Sequence, residues 1–328
     1  MTVAGLSTTM NHICLIGGGG FIGAHVTAAL LSQGRRVTIL DTQPAPTQLP
    51  KAARYVLGDY GRKDTLRKVL IGVDALVNLS YSSVPSTSFD DPIRDILSNL
   101  PAAVGLFETA SDYAIQKLVV ISSGGTVYGP ARGLPLSEDH RTDPISPYGV
   151  TKLAIEKYAQ MFYRLKELPI VIVRPANAFG EHQNPFVGQG FIAAAIAAIL
   201  NRKEITIYGA NGTIRDYIHV ENVADGIVAA LDRGQPGATY NIGSGEGRNN
   251  REILDELAPY AESLNIPLRI TTLPPRKFDV EANVLDSARL RADTDWRMRV
   301  PFHEGIQRTW EWFVGNRNLW MELRNGTR

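Results

Sequence analysis

A run of glycines, Gly17 to Gly20, followed by Phe21-Ile22-Gly23, constrains this chain more than any other stretch, because what flanks it reads as a strand and a helix. Ahead of it, Ile13-Cys14-Leu15-Ile16 is a short apolar run of the kind a buried strand needs. Behind it, Ile22, Val26, Ala29 and Leu30 recur at helical spacing, so one helix face is apolar. A second strand is predicted at Arg36-Val37-Thr38-Ile39-Leu40 and ends on Asp41. A βαβ unit with glycines in its first turn and an acid about 20 residues on is the arrangement that binds a dinucleotide. Glycine lets the turn close and the backbone approach a pyrophosphate, whose charge then sits on the helix N-terminus. Asp41 would accept hydrogen bonds from the adenosine ribose and repel a 2′-phosphate. Arg35 and Arg36 lie at the head of the strand and Thr42-Gln43 brings no cation, so NAD is expected rather than NADP.

The 328 residues, 35.9 kDa, suffice for one large domain or two modest ones with a sizeable core. Lys and Arg total 34 against 33 Asp and Glu, a net charge of +1, so no broad field draws nucleic acid or an anionic membrane. An anionic ligand must instead be held by a few placed cations. Cys14 is the one cysteine, which rules out an internal disulfide and reads as a small core residue. Met1 to Asn11 has neither a basic start nor a long apolar stretch and reads as a loose lead-in. Phe191 to Leu200, the most apolar window, is too short to span a bilayer, and a cytoplasmic location is expected.

Further strands are predicted at Arg54–Leu57, Ala75–Leu79, Lys117–Ile121 and Pro169–Val173, with helices from about Arg62 to Ile71 and from near Pro92 to about Tyr113. Pro101 should kink or interrupt the second helix, and Ser80 to Ser88 reads as a polar loop. Strands alternating with helices make a doubly wound parallel α/β sheet. Asp59, just past the third strand, could reach an adenine or could cap the helix that follows. From Arg174 the alternation breaks and a smaller mixed α/β part begins. Its predicted strands are Ile205–Tyr208, Arg215–Val220, Thr239–Ile242 and Leu268–Leu273; its helices are Phe191–Leu200, Val223–Leu231, Arg251–Leu264 and a tryptophan-rich tail. Residues 1–175, with about 217–243, are expected to form the cofactor domain, and 176–216 with 244–328 the substrate domain.

Tyr148 and Lys152 open a helix just after the hydroxyl-rich strand end Ser122-Ser123-Gly124-Gly125-Thr126, and four residues apart they share a face. A carbon that gives hydride to NAD must also lose its hydroxyl proton, and free tyrosine, with a pKa of about 10, is too weakly ionised to take it at neutral pH. Lys152 and a positive nicotinamide ring would both favour the phenolate. Tyr148 is then the base, Lys152 tunes it, and a hydroxyl of Ser122, Ser123 or Thr126 shares the proton network.

With these motifs, Asn99, Arg174 to Gly180, Arg215-Asp216-Tyr217-Ile218-His219-Val220, Tyr240 to Gly245, Arg276 and Asp279, the chain resembles the extended short-chain dehydrogenase/reductases over nearly its whole length. Within that NAD-dependent epimerase/dehydratase family it is most similar to the UDP-glucose 4-epimerases. The resemblance implies that Gly17, Gly20, Phe21, Ile22, Gly23, Asp41, Asp59, Tyr60, Leu79, Ser80, Asn99, Ser122, Tyr148, Lys152 and the backbone at Ala176 hold NAD. It implies that Asn177, Tyr208, Arg215, Arg276 and Asp279 line a UDP-sugar site, where two guanidinium groups would grip the diphosphate. It further implies a homodimer built through the Tyr148 helix and its neighbour, and no metal.

Two positions stand out against the family. Its catalytic Ser or Thr falls on Gly124, so either Ser123 or Thr126 supplies the hydroxyl or Tyr148 works without one. Its sugar-size gate falls on Asn283, a medium side chain with room for an N-acetyl group. Elimination and decarboxylation branches use carboxylates that Gly124-Gly125-Thr126 does not supply. A reductase-epimerase would place Cys where Thr126 stands and His at His182, which otherwise reads as a loop residue. A dehydrogenase, reductase or dehydratase of the same family, or an NAD-binding module without chemistry, remain the alternatives to a 4-epimerase.

Overall fold

The computed structural model describes residues 10–47, 49–276 and 280–325. Asp279 and the lead-in before Met10 lie outside the described residues. The chain opens as β1 (His12–Ile16), α1 (Phe21–Ser32), β2 (Arg36–Asp41), β3 (Arg54–Leu57), α2 (Lys63–Val69), β4 (Ala75–Asn78), α3 (Pro85–Asp90), α4 (Pro92–Ala110), β5 (Lys117–Ile121), α5 (Pro147–Lys166) and β6 (Ile170–Pro175). It continues as β7 (Asn177–Phe179), α6 (Phe191–Leu200), β8 (Ile205–Tyr208), β9 (Ile214–His219), α7 (Val220–Arg233), β10 (Thr239–Ile242), β11 (Gly247–Arg248), α8 (Asn250–Ser263), β12 (Ile270–Leu273), β13 (Ala282–Asn283), α9 (Ala288–Thr294), α10 (Phe302–Gly315) and α11 (Arg317–Glu322).

Seven strands form one parallel sheet in the order β10-β6-β5-β4-β1-β2-β3. Every residue of β1, β4, β5 and β6 is buried, as expected of short apolar strands covered on both faces. One face packs on Val26 and Leu30 of α1 and Ala224, Ile227 and Leu231 of α7. The other packs on Leu106 and Phe107 of α4 and Ile155 and Phe162 of α5. Strand order reverses between β1 and β4, which opens a crevice beyond their carboxyl ends. Cys14 sits in that core with no exposure, and burial pushes its thiol up to about 12.

The smaller part surrounds a third core that includes Ile196, Leu257, Trp310, Phe313 and Trp320. Its principal sheet is centred on β9, which pairs β11 antiparallel and both β13 and β7 parallel; β12 and β8 form a separate parallel pair.

The structure differs from the sequence reading at three places. Pro101 lies inside α4 without ending it: Pro101 is exposed, as is Leu97, whose carbonyl loses its donor, so water can satisfy the orphan. The Ser80–Ser88 loop ends at Val84, because Pro85 suits a first helical position and the Thr87 hydroxyl accepts from the Val84 N–H at 3.1 Å, starting α3. The two- and three-residue strands β7, β11 and β13 are too short to leave a periodic signal.

Candidate active site

At the switch-point rim, the turn between β1 and α1 is held from the side by β2. The Gly17 N–H donates to Leu40 O at 2.9 Å and the Gly19 N–H to Asp41 Oδ2 at 3.1 Å. Gly17 has φ +76°, and a Cβ there would stand 2.8 Å from the Ser80 backbone, so only glycine fits. Gly20 caps α1 with no side-chain acceptor, and a Cβ on it would meet Gly17 O alone, at 3.5 Å. The first-turn amides, over Phe21, Ile22 and Gly23, therefore keep an open approach for an anion. Asp41, with Oδ1 also accepting from the Gln43 N–H at 3.1 Å, is fixed at the end of β2 with lone pairs to spare for ribose hydroxyls. These residues fit a dinucleotide.

Along the same rim, Leu79 and Ser80 follow β4, and the Leu79 N–H donates to Ile16 O at 2.8 Å. Tyr60 hydrogen-bonds Ser80, and burial pushes its phenol up to about 12. Asp59 is exposed; it accepts from the Gly61 N–H at 2.8 Å and turns the chain toward α2, whose cap position is Arg62. Asn99 is buried and engaged by the loop after β4, accepting from the Ser82 N–H at 2.8 Å. The Ala176 N–H donates to Ile242 O at 2.8 Å where β6 leaves the sheet.

The Ser146 hydroxyl caps α5, accepting from the Gly149 N–H at 3.1 Å, and Pro147 takes the first helical position. Residues 148, 152 and 156 then fall on one inward row, and Tyr148, Lys152 and Glu156 are all buried. Lys152 Nζ donates to Ile121 O at 3.0 Å and lies 5.7 Å from the Tyr148 ring centroid. Burial pushes the Tyr148 phenol above its ordinary value, the charge of Asp95 adds to this, and a hydrogen bond to Ser123 opposes both. Burial brings the Lys152 ammonium down to about 7, against the pull of Glu156 and Asp95. Of the three candidate hydroxyls, the structure brings Ser123 to Tyr148. The Ser122 hydroxyl donates to Glu156, which Arg174 grips through Nε at 2.9 Å. The Thr126 hydroxyl is buried and finds no hydrogen-bond partner among the described residues.

Gly124 has a packing reason. A Cβ there would come 2.3 Å from Leu285 Cδ1 and 3.0 Å from Arg174 O, so Leu285 takes the space a serine would need. The Gly124 carbonyl accepts from Asn283 Nδ2 at 3.0 Å. Asn177 Oδ1 lies 3.3 Å from where a Cβ on Gly125 would stand. Arg215 is half-buried on β9, in register with Asn283, and donates through NH1 to Ile214 O at 2.8 Å. Arg276 stacks its guanidinium 4.2 Å from the Tyr208 ring centroid. The His182 ring contacts Trp312 and His25, at 4.9 and 5.9 Å between centroids.

Three polar side chains escaped sequence reasoning, and a fourth, Asp216, was quoted there only within a motif and given no role. Glu156 was legible in principle, one further turn along the Tyr148/Lys152 row. Asp216 sits inside a strand and accepts from Ser244, Gly245 and Leu285; burial nevertheless raises its pKa. Tyr81 and Asp95 looked like loop and helix surface, yet Tyr81 packs 4.8 Å from Tyr148 between ring centroids.

Residues 13–243 match the NAD dependent epimerase/dehydratase family, and the chain belongs to it; its cofactor is NAD. A UDP-glucose 4-epimerase of Mycolicibacterium smegmatis is 31% identical over 305 residues, covering 90% of this chain and 96% of that one. The crystal structure of the Thermus thermophilus UDP-glucose 4-epimerase in complex with NAD superposes with a TM-score of 0.86 at 30% identity, covering 93% of this chain and 99% of that one. The dTDP-glucose 4,6-dehydratase DesIV of Streptomyces venezuelae, solved with NAD and TYD bound, gives 0.87 at 27% identity, covering 95% and 99%. Relatives of the same fold thus carry out both epimerisation and dehydration.

Proposed function

We propose that this protein is a UDP-sugar 4-epimerase. The observation that carries the reading is Tyr148, hydrogen-bonded to Ser123 with Lys152 beside it, at the carboxyl end of β5 on the rim that fits a dinucleotide. NAD, held by the rim residues, would supply the hydride-transfer chemistry. Tyr148 takes the 4-hydroxyl proton, Ser123 shares it, and Lys152 in its charged form lowers the cost of the phenolate. A 4-keto sugar would have to turn over within the pocket, so the protein must hold the diphosphate firmly and the hexose loosely. Arg215 and Arg276, with Asn177, Tyr208 and Asp279, are assigned to the UDP end; Gly17, Gly20, Phe21, Ile22, Gly23, Asp41, Asp59, Tyr60, Leu79, Ser80, Asn99, Ser122 and Ala176 to NAD. We assign cofactor binding to 1–175 with about 217–243, and sugar binding to 176–216 with 244–328.

A dehydratase is the second reading, since a solved relative is one. Elimination across C5 and C6 calls for an acid and a base beyond the tyrosine, and Gly124-Gly125-Thr126 provides no carboxylate, which favours epimerisation. Ile93, Leu97, Tyr158, Met161 and Leu165 form exposed apolar rows on α4 and α5, and we assign this face to a second copy of the chain. Incubating the purified protein with UDP-glucose, UDP-galactose and their N-acetyl forms, and following isomers by NMR, tests the reading. The expected result is interconversion of 4-epimers; a dehydrated or net oxidised product would overturn it.

A further inference from the structure

Three consecutive residues of the loop after β4 are captured by two side chains one turn apart on α4. Tyr81 OH donates to both carboxylate oxygens of Asp95, at 3.3 and 3.4 Å, and Ser83 Oγ donates to the same carboxylate. Between them, the Ser82 N–H and hydroxyl donate to Asn99 Oδ1 at 2.8 and 3.2 Å. Asp95 is 2% exposed and Asn99 1%. A carboxylate in the first turn of a helix gains from the backbone dipole on an exposed face equally well. Burying it adds a desolvation cost that only specific partners offset.

What the strap achieves is the placement of a ring. Lys152 Nζ lies 4.0 Å from the Tyr81 ring centroid, close enough for a cation–π contact. The Tyr81 ring meets Tyr148 edge-on, at 4.8 Å between centroids and 65° between planes. The charged and titratable groups that face Tyr148 come from four directions. Lys152 and Glu156 share its helix, Asp95 reaches in from α4, Tyr81 from the loop, and Arg174 of β6 is locked onto Glu156. Glu156 is matched by Arg174 at hydrogen-bond distance, whereas the hydrogen-bond partners of the Asp95 carboxylate include no cation among the described residues. Its negative charge is therefore felt by Tyr148 and Lys152, raising both.

Resting on the epimerase reading, we propose that Tyr81 and Asp95 are positioning residues of the active site: Asp95 anchors the phenol whose ring seats Lys152 beside Tyr148. A group that only packs the loop would leave the pH dependence of Tyr148 where it is, whereas the Asp95 charge adds to what burial does there.

The test is tyrosine ring-carbon NMR on the NAD-loaded enzyme, with Tyr148 assigned by Tyr148→Phe, alongside the pH profile of UDP-galactose turnover. Asp95→Asn keeps an acceptor for Tyr81 and removes the charge; the Tyr148 titration, and the acid limb of turnover, are expected to move down by about one pH unit. Tyr81→Phe keeps the ring and removes its tether; turnover is expected to fall about tenfold with KM unchanged. An unmoved Tyr148 titration in Asp95→Asn overturns the proposal. Should Asp95→Asn lose its NAD or its fold, wild-type turnover in Tyr81→Phe overturns it instead. If the wild-type enzyme turns over no UDP-hexose, the epimerase reading falls, and the NMR titration still decides the role of the pair.

Discussion

The glycine turn and the small sheet around β9 serve one rim but are held by different means. The turn is sealed by its nearest neighbour in the sheet, Gly17 to Leu40 and Gly19 to Asp41. The small sheet, the proposed sugar end, is gathered around one buried carboxylate: Asp216 accepts from Ser244, Gly245 and Leu285, which lie 28, 29 and 69 residues away. The glycine turn is thus held by a single adjacent strand, while the sheet around β9 is held by one buried side chain that reaches two separate segments, 244–245 and 285. On the epimerase reading proposed above, changes at Asn283, Leu285 or Gly124 are expected to alter hexose specificity.

The largest expected effect falls where the two regions meet. Tyr148→Phe should lower turnover by about 10²- to 10⁴-fold, the usual contribution of a general base, while NAD content and melting temperature stay near wild type. Loss of NAD in this variant would mean the phenol serves the cofactor end rather than the chemistry. Next comes the sugar end alone: Arg215→Met and Arg276→Met should each raise KM for a UDP-sugar by about 10- to 100-fold, as expected for a charged hydrogen bond, and leave bound NAD unchanged on denaturation and assay.

Gly124→Ser probes the seam. The new side chain meets Leu285, and unfolding in urea should show a loss of about 1–3 kcal/mol, an increment that should largely vanish when the same change is made in a Leu285→Ala background, itself less stable by about 2–5 kcal/mol. The smallest effect concerns the clamp across both regions, in which Glu181 accepts from His219 at 3.0 Å and Arg308 at 3.1 Å while its carbonyl meets His25 of α1 at 3.2 Å. Burial acts to raise the Glu181 pKa, but His219 and Arg308 outweigh it and bring the group from 4.5 to about 2. A carboxyl depressed in the folded state stabilises it above the unfolded value, and that contribution is lost as pH falls from 4.5 toward 2. Glu181→Gln should flatten this acid limb of the stability curve by about 1 kcal/mol.

The same contrast governs what could be read without coordinates. β1, β2, β3 and β5 are short apolar or alternating runs bounded by turns, so these strands and the glycine turn after β1 were legible in the sequence. β7, β11 and β13 exist because they pair with β9, and nothing in Gly247-Arg248 or Ala282-Asn283 signals a strand. Tyr81 and Asp95 lie in polar stretches whose composition matches a solvated loop and helix; only the packing of α4 against α5 turns them inward. Gly124 read as a missing hydroxyl, and its cause, Leu285, lies 161 positions away in the numbering.

The central proposal, that the C4 hydride leaves the sugar and returns to it within a single pocket while Tyr148 carries the hydroxyl proton, is tested most directly with UDP-galactose carrying deuterium at C4. Turned over without added NAD, it should yield UDP-glucose that retains the deuterium at C4. Label lost from the sugar, or product formed only in proportion to added NAD, would contradict the account.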